Sequence, residues 1–319
     1  MHKISNKDVA DHVASCLQLA ILFEINAPKP GNVHRQASFH KTSYEHFLAS
    51  AVAIVPSLKT ATTKGILIAE GKLRFANVGI GKIIKDAVER SDSWQHGGNT
   101  LLGTILLLSP IAVGAGKTLR ERNGILDLAE LRTNIKSVTT STTPEDAVAV
   151  YEAIDIAKPG GLNKAPNFDA TEASSKQEIL RTHTTLFDLF KISTDYDSIA
   201  HEWTKNYPIV FDVGFPALCR EIKRIENIND AIVHTFLKLL SENPDTLIAR
   251  KAGSSKAQEV SRRARQVLDQ GGLGTRNGKE ALAELDRGLR DLENKLNPGT
   301  TADLVTASLA LLILNGYRP

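Results

Sequence analysis

Residues 24–35 read EINAPKPGNVHR, and a further histidine, His40, follows shortly after them. The stretch comes after a segment with helical periodicity and gathers an acid, a lysine, histidines and an arginine around a rigid turn. Pro28 and Pro30 restrict φ, and Gly31 permits backbone conformations that a Cβ would forbid. The pattern indicates a stiff, charged loop between two helices that belongs to a site, with a helix stop carrying polar decoration as the alternative.

The segments around this loop have the pattern of helices. Upstream, apolar residues recur with helical spacing from Val9 to Ile21, after a capping box that begins at Ser5. Elsewhere Ala, Leu and Ile at helical spacing dominate, aromatic residues are only 5%, and period-2 alternation is scarce. We therefore predict an all-α protein, a single compact multi-helix domain of about a dozen helices over residues 1–319.

Composition and charge exclude several classes of protein. Hydrophobic residues are 42% and charged residues 24%, which argues against disorder. A net charge of +3 gives no strong case for a nucleic-acid or anionic-membrane partner. The longest apolar run, residues 105–108, meets Ser109 and Pro110 and is too short to span a bilayer. With two cysteines and no recognisable signal peptide, we expect a cytoplasmic protein.

Two further turns place polar residues beside glycines. Residues 96–100 read HGGNT and lead into an apolar segment. Asn99 or Thr100 can cap the helix that follows or can contact a ligand, and both interpretations stay open. Residues 207–216 read YPIVFDVGFP. Their acid, Asp212, would need a partner if it were buried among aromatic residues, so it is a functional candidate, with a solvated loop acid as the alternative.

The C-terminal third adds two cations and a last acid. Arg250 and Lys251 precede Gly253 and two serines, and cations beside a helix start suit a phosphate. Asp303 falls in the first turn of an apolar helix, where acids often serve only to complement the helix dipole. Its position at the mouth of a buried helix, beside a glycine turn, favours a further role.

Known catalytic and nucleotide-binding sequence motifs do not identify the reaction. The chain has no P-loop, dinucleotide fingerprint, His-Glu-x-x-His zinc motif or nucleophile elbow, and its nine histidines lack metal-ligand spacing. The residues alone predict a helical protein whose turns carry acids, cations and glycines that could converge on a phosphorylated ligand.

Five of the turns, taken in order, resemble those of the triphosphoribosyl-dephospho-CoA synthase family. Residues 28–33, PKPGNV, resemble the family's Pro-Lys-Pro-Gly-x-Val signature, with Glu24 upstream and His40 at its downstream histidine position. Residues 98–103 resemble a Val-Asn-Thr-x-x-Gly helix start, and residues 212–216 resemble an acid-x-Gly-Phe-Pro segment. Residues 245–250 resemble an Asp-Thr…Arg region, and residues 298–304 resemble a Pro-Gly-Gly-Ser-Ala-Asp-Leu segment.

The resemblance implies an enzyme that moves the 5-triphosphoribosyl group of ATP to the 2′-hydroxyl of 3′-dephospho-CoA and releases adenine. Such a reaction develops oxocarbenium character and needs a base for the attacking hydroxyl, and carboxylates suit both tasks. We expect Asp212 and Asp303 to lie nearest the chemistry and to hold Mg²⁺ that accompanies ATP, with Glu24 as the third catalytic candidate. The residues expected to bind ATP and the acceptor are Lys29, Asn32, His40, Asn99, Thr100, Arg250 and Lys251.

The chain also departs from the family pattern in turns that look like site turns. An Asp after the first motif is replaced by His34, and a Gly-x-His-x-Asp-Met segment by FHKT at residues 39–42. Asn-Thr-His-Lys-Gly becomes NTLLG at residues 99–103, and Arg-Gly-Gly becomes RKAG at residues 250–253.

These departures leave three interpretations open. The first is the family reaction. The second is a related nucleotide-dependent transferase acting on another phosphorylated cofactor precursor of pterin type, and the third is a non-catalytic helical nucleotide-binding protein. A homodimer is also considered. The enzymatic interpretations depend on turns far apart in sequence meeting in one nucleotide pocket, and the residues whose positions test this are Lys29, Asn99, Asp212, Arg250 and Asp303.

Overall fold

The structure, a computed structural model, describes residues 5–161, 168, 172–291 and 293–319. Over these residues the chain forms α-helices and no β-strand, which confirms the all-α prediction. The helices are α1 (Asn6–Asn26), α2 (Tyr44–Ala53), α3 (Val55–Ala69), α4 (Ile80–Trp94), α5 (Leu102–Glu121), α6 (Leu128–Thr140), α7 (Pro144–Ala157), α8 (Ala173–Arg181), α9 (Leu186–Ser193), α10 (Ser198–Lys205), α11 (Phe215–Arg224), α12 (Ile228–Glu242), α13 (Thr246–Ala252), α14 (Ser254–Asp269), α15 (Arg276–Leu289) and α16 (Gly299–Leu314).

Two helices, α5 and α16, form the centre of the protein. Nearly every residue of each is buried, as expected of helices that are apolar on all faces. Helix α5 packs against α1, α3, α6 and α16, while α16 also contacts α11, α12 and α13. The resulting hydrophobic core is a single cluster, and its members range along the sequence from Val9 to Leu314. The two central helices therefore bring the turns at their N-terminal ends together.

Helix α5 continues through Pro110, although the sequence suggested that its apolar run ends there. Proline has no N–H, so the carbonyl of Leu106, four residues earlier, lacks its helical donor. The buried indole Nε1 of Trp203 donates to that oxygen at 3.1 Å, and the hydroxyl of Tyr207 donates to the next carbonyl, that of Leu107, at 3.0 Å. The side chain of Trp203, from a distant segment, thus satisfies the carbonyl oxygen that the proline leaves without its helical donor.

Glycines of α5 serve helix packing rather than a turn. Gly116 lies inside α5 where α3 packs against it. A Cβ on Gly116 would lie 2.2 Å from the carbonyl oxygen of Thr62 in α3, so only glycine permits this approach.

Two helical stretches, Tyr44–Ala69 and Leu102–Glu121, are long and apolar enough by composition to cross a membrane. The expectation that no apolar segment has the necessary length was therefore wrong. In the second stretch 89% of the apolar window is buried inside the protein, and in the first 50%. Burial of this extent is the normal environment of a core helix.

Candidate functional site

A cleft of about 670 Å³ is lined by residues from α1, α2, α5, α7, α9, α10, α13 and α16 and from the turns between them. A volume of this size suits a ligand of nucleotide dimensions. Apolar side chains make up much of the lining, among them Phe47, Leu102, Tyr151, Leu189 and Phe190. The polar groups that reach the cleft include Glu24, Asn32, Asn99, Thr100, Thr104, Asp197, Arg250 and Asp303.

The carboxylate of Asp303 connects the N-terminal turns of the two central helices. Asp303 lies in the first turns of α16, and its Oδ1 accepts from the hydroxyl of Thr104, in the first turn of α5, at 2.5 Å. Burial raises the pKa of Asp303 to about 8, and the nearby charges of Glu24 and Asp245 add to the rise, against the hydrogen bonds from Thr104. The group is therefore protonated at neutral pH before ligands bind.

Asp303 fits against Gly103 because that residue has no side chain. A Cβ at position 103 would lie 2.1 Å from Oδ2 of Asp303. Gly103, in the first turn of α5, is thus matched to an acid that follows it by 200 residues in sequence, a relation that no local signal reveals.

We expect Gly103→Ala to remove activity while the fold persists. The new methyl group would force the Asp303 carboxylate away from Thr104, whereas alanine itself favours a helix by about 0.5–1 kcal/mol over glycine. Turnover and the thermal midpoint of unfolding would be measured, with Gly274→Ala as the matched control because a Cβ there meets nothing within 4 Å. A fully active Gly103→Ala variant would show that the position of Asp303 does not matter.

Glu24 and Lys29 form a buried ion pair at the wall of the cleft. Glu24 lies near the C-terminal end of α1 and lines the cleft. The Nζ of Lys29 lies 2.9 Å from Oε1 of Glu24, and the lysine side chain is fully buried. Burial raises the pKa of Glu24 and lowers that of Lys29, and each shift is opposed by the partner's charge. Lys29 therefore lies behind Glu24 and is not among the residues that line the cleft.

Helix α15 holds the turn that carries Lys29 in place. The N–H of Gly31 donates to Oδ1 of Asp286 at 2.8 Å, and Nη2 of Arg290 donates to the carbonyl of Asn32 at 2.9 Å. Arg290 also lies 3.2 Å from the ring of His34, whose pKa falls to about 4 because the ring is buried and Arg290 is close. Sequence reasoning missed Asp286 and Arg290, since nothing local to α15 indicates contact with a turn 250 residues earlier.

Asn99 and Thr100 both line the cleft, and both also have structural partners. The Oδ1 of Asn99 accepts from the N–H of Leu102 at 3.1 Å and so caps α5. The hydroxyl of Thr100 lies 2.8 Å from that of Ser50 in α2. The sequence offered capping and ligand contact as alternatives, and the structure shows the hydrogen bond of Asn99 at the start of α5 and places both residues at the cleft.

Arg250 lines the cleft from α13, and its guanidinium is paired with the carboxylate of Asp197, another lining residue. Lys251 does not line the cleft. Its amino group donates to the carbonyl of Asn294 at 3.2 Å, and its side chain packs against Gly160 and Gly161 after α7. Burial and the charge of Arg250 lower the pKa of Lys251. Of the two expected cations, the structure places only Arg250 in the cleft wall.

Asp245 joins α13 to α16 and so fixes Arg250 relative to Asp303. Its Oδ1 accepts from the N–H groups of Leu247 and Ile248 and caps α13. Its Oδ2 accepts from the N–H of Thr301 at 2.7 Å and from the hydroxyl of the same residue at 2.8 Å. Asp245 is buried and satisfied by these donors, which is the arrangement of a structural acid.

Asp212 does not lie in the cleft, and its assignment beside Asp303 was wrong in this respect. Residues 209–214 form a π-helical segment in which Phe211 is buried while the Asp212 side chain is 56% exposed. The Asp212 carboxylate accepts from both terminal nitrogens of Arg132, at 2.7 and 2.8 Å. The ion-pair partner of the acid lies in α6, so Asp212 faces that helix and not the cleft. His40 is also exposed and does not line the cleft.

The expected Mg²⁺ pair of Asp212 and Asp303 is therefore not brought together. Among the described residues, no group of three or more His, Cys, Asp or Glu side chains is arranged to hold a metal ion. Mg²⁺ in nucleotide sites commonly takes only one or two carboxylates together with phosphate oxygens. Glu24 and Asp197 supply carboxylates at the cleft, so the donor set fits an ion that enters with a triphosphate rather than a resident one.

The comparisons with known proteins agree with this fold. Residues 10–319 match the family model described as ATP:dephospho-CoA triphosphoribosyl transferase. A crystal structure of a candidate triphosphoribosyl-dephospho-CoA synthase from Archaeoglobus fulgidus superposes with a TM-score of 0.61 at 22% identity, covering 85% of this chain and 100% of that one. At this level of identity the match shows a shared fold.

Relatives of similar length carry the name of the same synthase. One from Pseudomonas fluorescens (strain Pf0-1), named as a probable 2-(5''-triphosphoribosyl)-3'-dephosphocoenzyme-A synthase, is 25% identical over 95% of this chain and 91% of its own. A relative of the same name from Malonomonas rubra is 23% identical over 96% and 89%. Another from Pseudomonas fluorescens (strain Pf-5) is 36% identical over 110 residues, which are 34% of this chain and 37% of that relative. With a family model matching almost its entire length, the chain belongs to the ATP:dephospho-CoA triphosphoribosyl transferase family.

Proposed function

We propose that the protein transfers the 5-triphosphoribosyl group of ATP to the 2′-hydroxyl of 3′-dephospho-CoA, with release of adenine. Membership of the family supports this reaction, and so do the names of its relatives. The observation that carries the proposal is the meeting of Glu24 and Asp303 in a cleft of nucleotide size. Enzymes that transfer glycosyl groups usually place carboxyl groups beside the reacting sugar, where they stabilise its developing charge and deprotonate the attacking group.

The charge of the cleft indicates how the triphosphate is held. Among the described lining residues, the acids Glu24, Asp197 and Asp303 stand against one cation, Arg250, which is already paired with Asp197. A polyanion entering such a site needs a cation of its own, and Mg²⁺ bound to ATP would supply it. Arg250 then gives up part of its ion pair with Asp197 and donates to phosphate oxygens instead. A guanidinium suits this exchange because it forms charge-assisted hydrogen bonds with both carboxylates and phosphates.

Adenine release tests the proposal directly. Purified protein would be incubated with ATP and Mg²⁺, with and without 3′-dephospho-CoA, and adenine and nucleotide products would be separated by chromatography. We expect adenine to appear only when the acceptor is present, together with a product whose mass equals the acceptor plus the triphosphoribosyl group. Omission of Mg²⁺ should abolish the reaction.

The substitution of Leu101 and Leu102 for polar family residues favours testing a second acceptor class. Both leucines line the cleft, so these two departures from the family pattern lie in the site itself. Phosphorylated pterin precursors would be tested beside dephospho-CoA. Adenine release only with a pterin would replace the acceptor but keep the transfer, whereas ATP binding without turnover on any acceptor would contradict an enzymatic function.

A further inference from the structure

One face of α9 lines the cleft, and its exposure to solvent increases along the helix. Leu186 and Leu189 are 1% and 7% exposed, whereas Ile192 is 50% exposed. Tyr196, in the turn after α9, also lines the cleft and is 56% exposed. The eight residues of α9 span about 12 Å. This face is therefore elongated and runs from the protein interior to the mouth of the cleft.

The wall that α9 forms with α7 is apolar. The other lining residues of the two helices are Val150, Tyr151 and Ile154 from α7 and Phe190 and Ser193 from α9, so the described part of this wall has no charged side chain. Helix α9 packs against α7 and α10, and the ring of Phe190 meets that of buried Trp203 edge to face, with 4.9 Å between their centroids. The wall is thus fixed by packing before a ligand binds.

The charged groups of the cleft come from other helices. Glu24 lies in α1, Arg250 in α13 and Asp303 in α16. In the proposed reaction the triphosphate contacts Arg250, and the reacting ribose lies beside the two carboxyl groups. Adenine is bonded to the reacting carbon of that ribose, so it lies in the interior as well. The half-exposed end of the α9 face is therefore left for a part of the acceptor that is remote from its reacting hydroxyl.

We propose that the α9 face binds an elongated, uncharged arm of the acceptor, and that Ile192 and Tyr196 determine acceptor specificity at the cleft mouth. The inference rests on the proposed function and names the part of the substrate that this wall takes. In 3′-dephospho-CoA the arm is the pantetheine chain, which is uncharged at neutral pH and lies at the opposite end of the molecule from the adenosine. Contact with α9 removes its methyl and methylene groups from water, which favours binding. A pterin has no such arm, so this wall selects against it.

Ile192→Ala, Tyr196→Ala and the double variant test the proposal. We expect the double variant to raise the KM for 3′-dephospho-CoA by about 5- to 30-fold, because two apolar side chains lose their contact with the arm. The KM for ATP should not change. Adenine release would be measured over a range of concentrations of each substrate. A raised KM for ATP alone would overturn the proposal, because the wall would then bind part of ATP, and so would an unchanged KM for both substrates.

A shortened acceptor shows whether the effect belongs to the arm. The ester of ADP in which a methyl group replaces pantetheine keeps the 2′-hydroxyl and both charges of the diphosphate. Its KM should be higher than that of 3′-dephospho-CoA with the wild type, and the double variant should raise it no further. The same fold-increase with both acceptors would show that the two side chains do not contact the arm.

Ile125→Ala and Trp94→Ala are the matched control variants. Both residues are large, apolar and more exposed than Ile192, at 69% and 61%, but neither lines the cleft. Their replacement should leave the KM for either substrate unchanged. A rise in the KM for 3′-dephospho-CoA in these variants equal to that in the double variant would show that the effect does not depend on the cleft mouth, which would contradict the proposal.

Calorimetric titration with 3′-dephospho-CoA tests the arm site without turnover. The double variant should bind this acceptor more weakly than the wild type by the same 5- to 30-fold factor. Equal affinities, or no binding to the wild type, would overturn the inference. Absence of adenine from the wild type together with weaker binding by the variant would instead refute the proposed reaction and retain the arm site.

Discussion

Replacing Asp303 with Asn is expected to lower the rate of adenine release by roughly 10²- to 10⁴-fold, the usual contribution of a general acid or base. Asn has nearly the same shape and can still accept from Thr104, so helix content by circular dichroism should match the wild type. The substitution should lower kcat more than it changes the KM for ATP, since the group acts in the transfer step. Chromatographic measurement of adenine over a range of ATP concentrations would establish both parameters.

Asp212→Asn is the matched control for this experiment. Asp212 is exposed, is paired with Arg132 and lies outside the cleft, so its replacement should leave kcat close to that of the wild type. An exposed ion pair contributes only about 0–1 kcal/mol, so stability should also change little. If Asp212→Asn were as inactive as Asp303→Asn, the sequence-based assignment of Asp212 to the chemistry would have to be restored.

The effect of Asp303→Asn on the free energy of unfolding should depend on pH. The pKa of Asp303 is raised in the folded protein from 3.8 to about 8, so the folded state binds this proton more tightly than the unfolded state. The stability that Asp303 contributes is therefore fully present below its unfolded pKa and is lost as the pH rises through about 8. Urea denaturation without ligands should show that the free energy of unfolding of Asp303→Asn rises relative to that of the wild type as the pH increases from about 3.8 to about 8. A constant difference across it would contradict the raised pKa.

The second large effect is expected at Trp203, on stability rather than on chemistry. Trp203→Ala should lower the free energy of unfolding by about 3–5 kcal/mol, because it opens a cavity beside α5 and removes the donor to Leu106. Trp203→Phe keeps most of the volume and should cost about 1–3 kcal/mol for the carbonyl left without a donor. Urea denaturation would measure both losses.

Pro110→Ala provides the control that isolates the hydrogen bond. Alanine at position 110 restores an N–H that can donate to Leu106 within α5, so Trp203→Phe should cost less in this background than in the wild type. An equal cost in both backgrounds would show that the indole N–H does not compensate for the proline, and that Trp203 contributes through packing alone.

The site depends on structural residues that set the positions of its acids. Asp245 ties the cap of α13 to the start of α16, and Asp286 and Arg290 hold the Pro-Lys-Pro-Gly turn against α15. Charged and polar side chains hydrogen-bonded in this way keep functional groups within narrow limits of orientation. The reacting groups are thereby presented on rigid helices rather than on free loops.

Buried Glu202 shows how much of this arrangement is invisible in the sequence. It accepts from the N–H groups of Ile209 and Val210, and burial raises its pKa to about 7. These bonds hold the start of the π-helical segment and so help to direct Asp212 outward. Nothing in the local pattern around Glu202 distinguishes it from a surface acid of an amphipathic helix.

What the amino-acid sequence determined by itself is the all-α class, the position of the turns and the acids Glu24 and Asp303, because helical periodicity, caps and turn residues act over a few neighbours. The direction of each side chain was decided only by the tertiary structure. Packing between distant helices turned Asp212 toward solvent, set Lys29 behind Glu24 and carried α5 through Pro110 with donors from Trp203 and Tyr207. Such contacts join residues 80 to 100 positions apart or, for Glu24 and Lys29, depend on burial, and local sequence patterns encode neither.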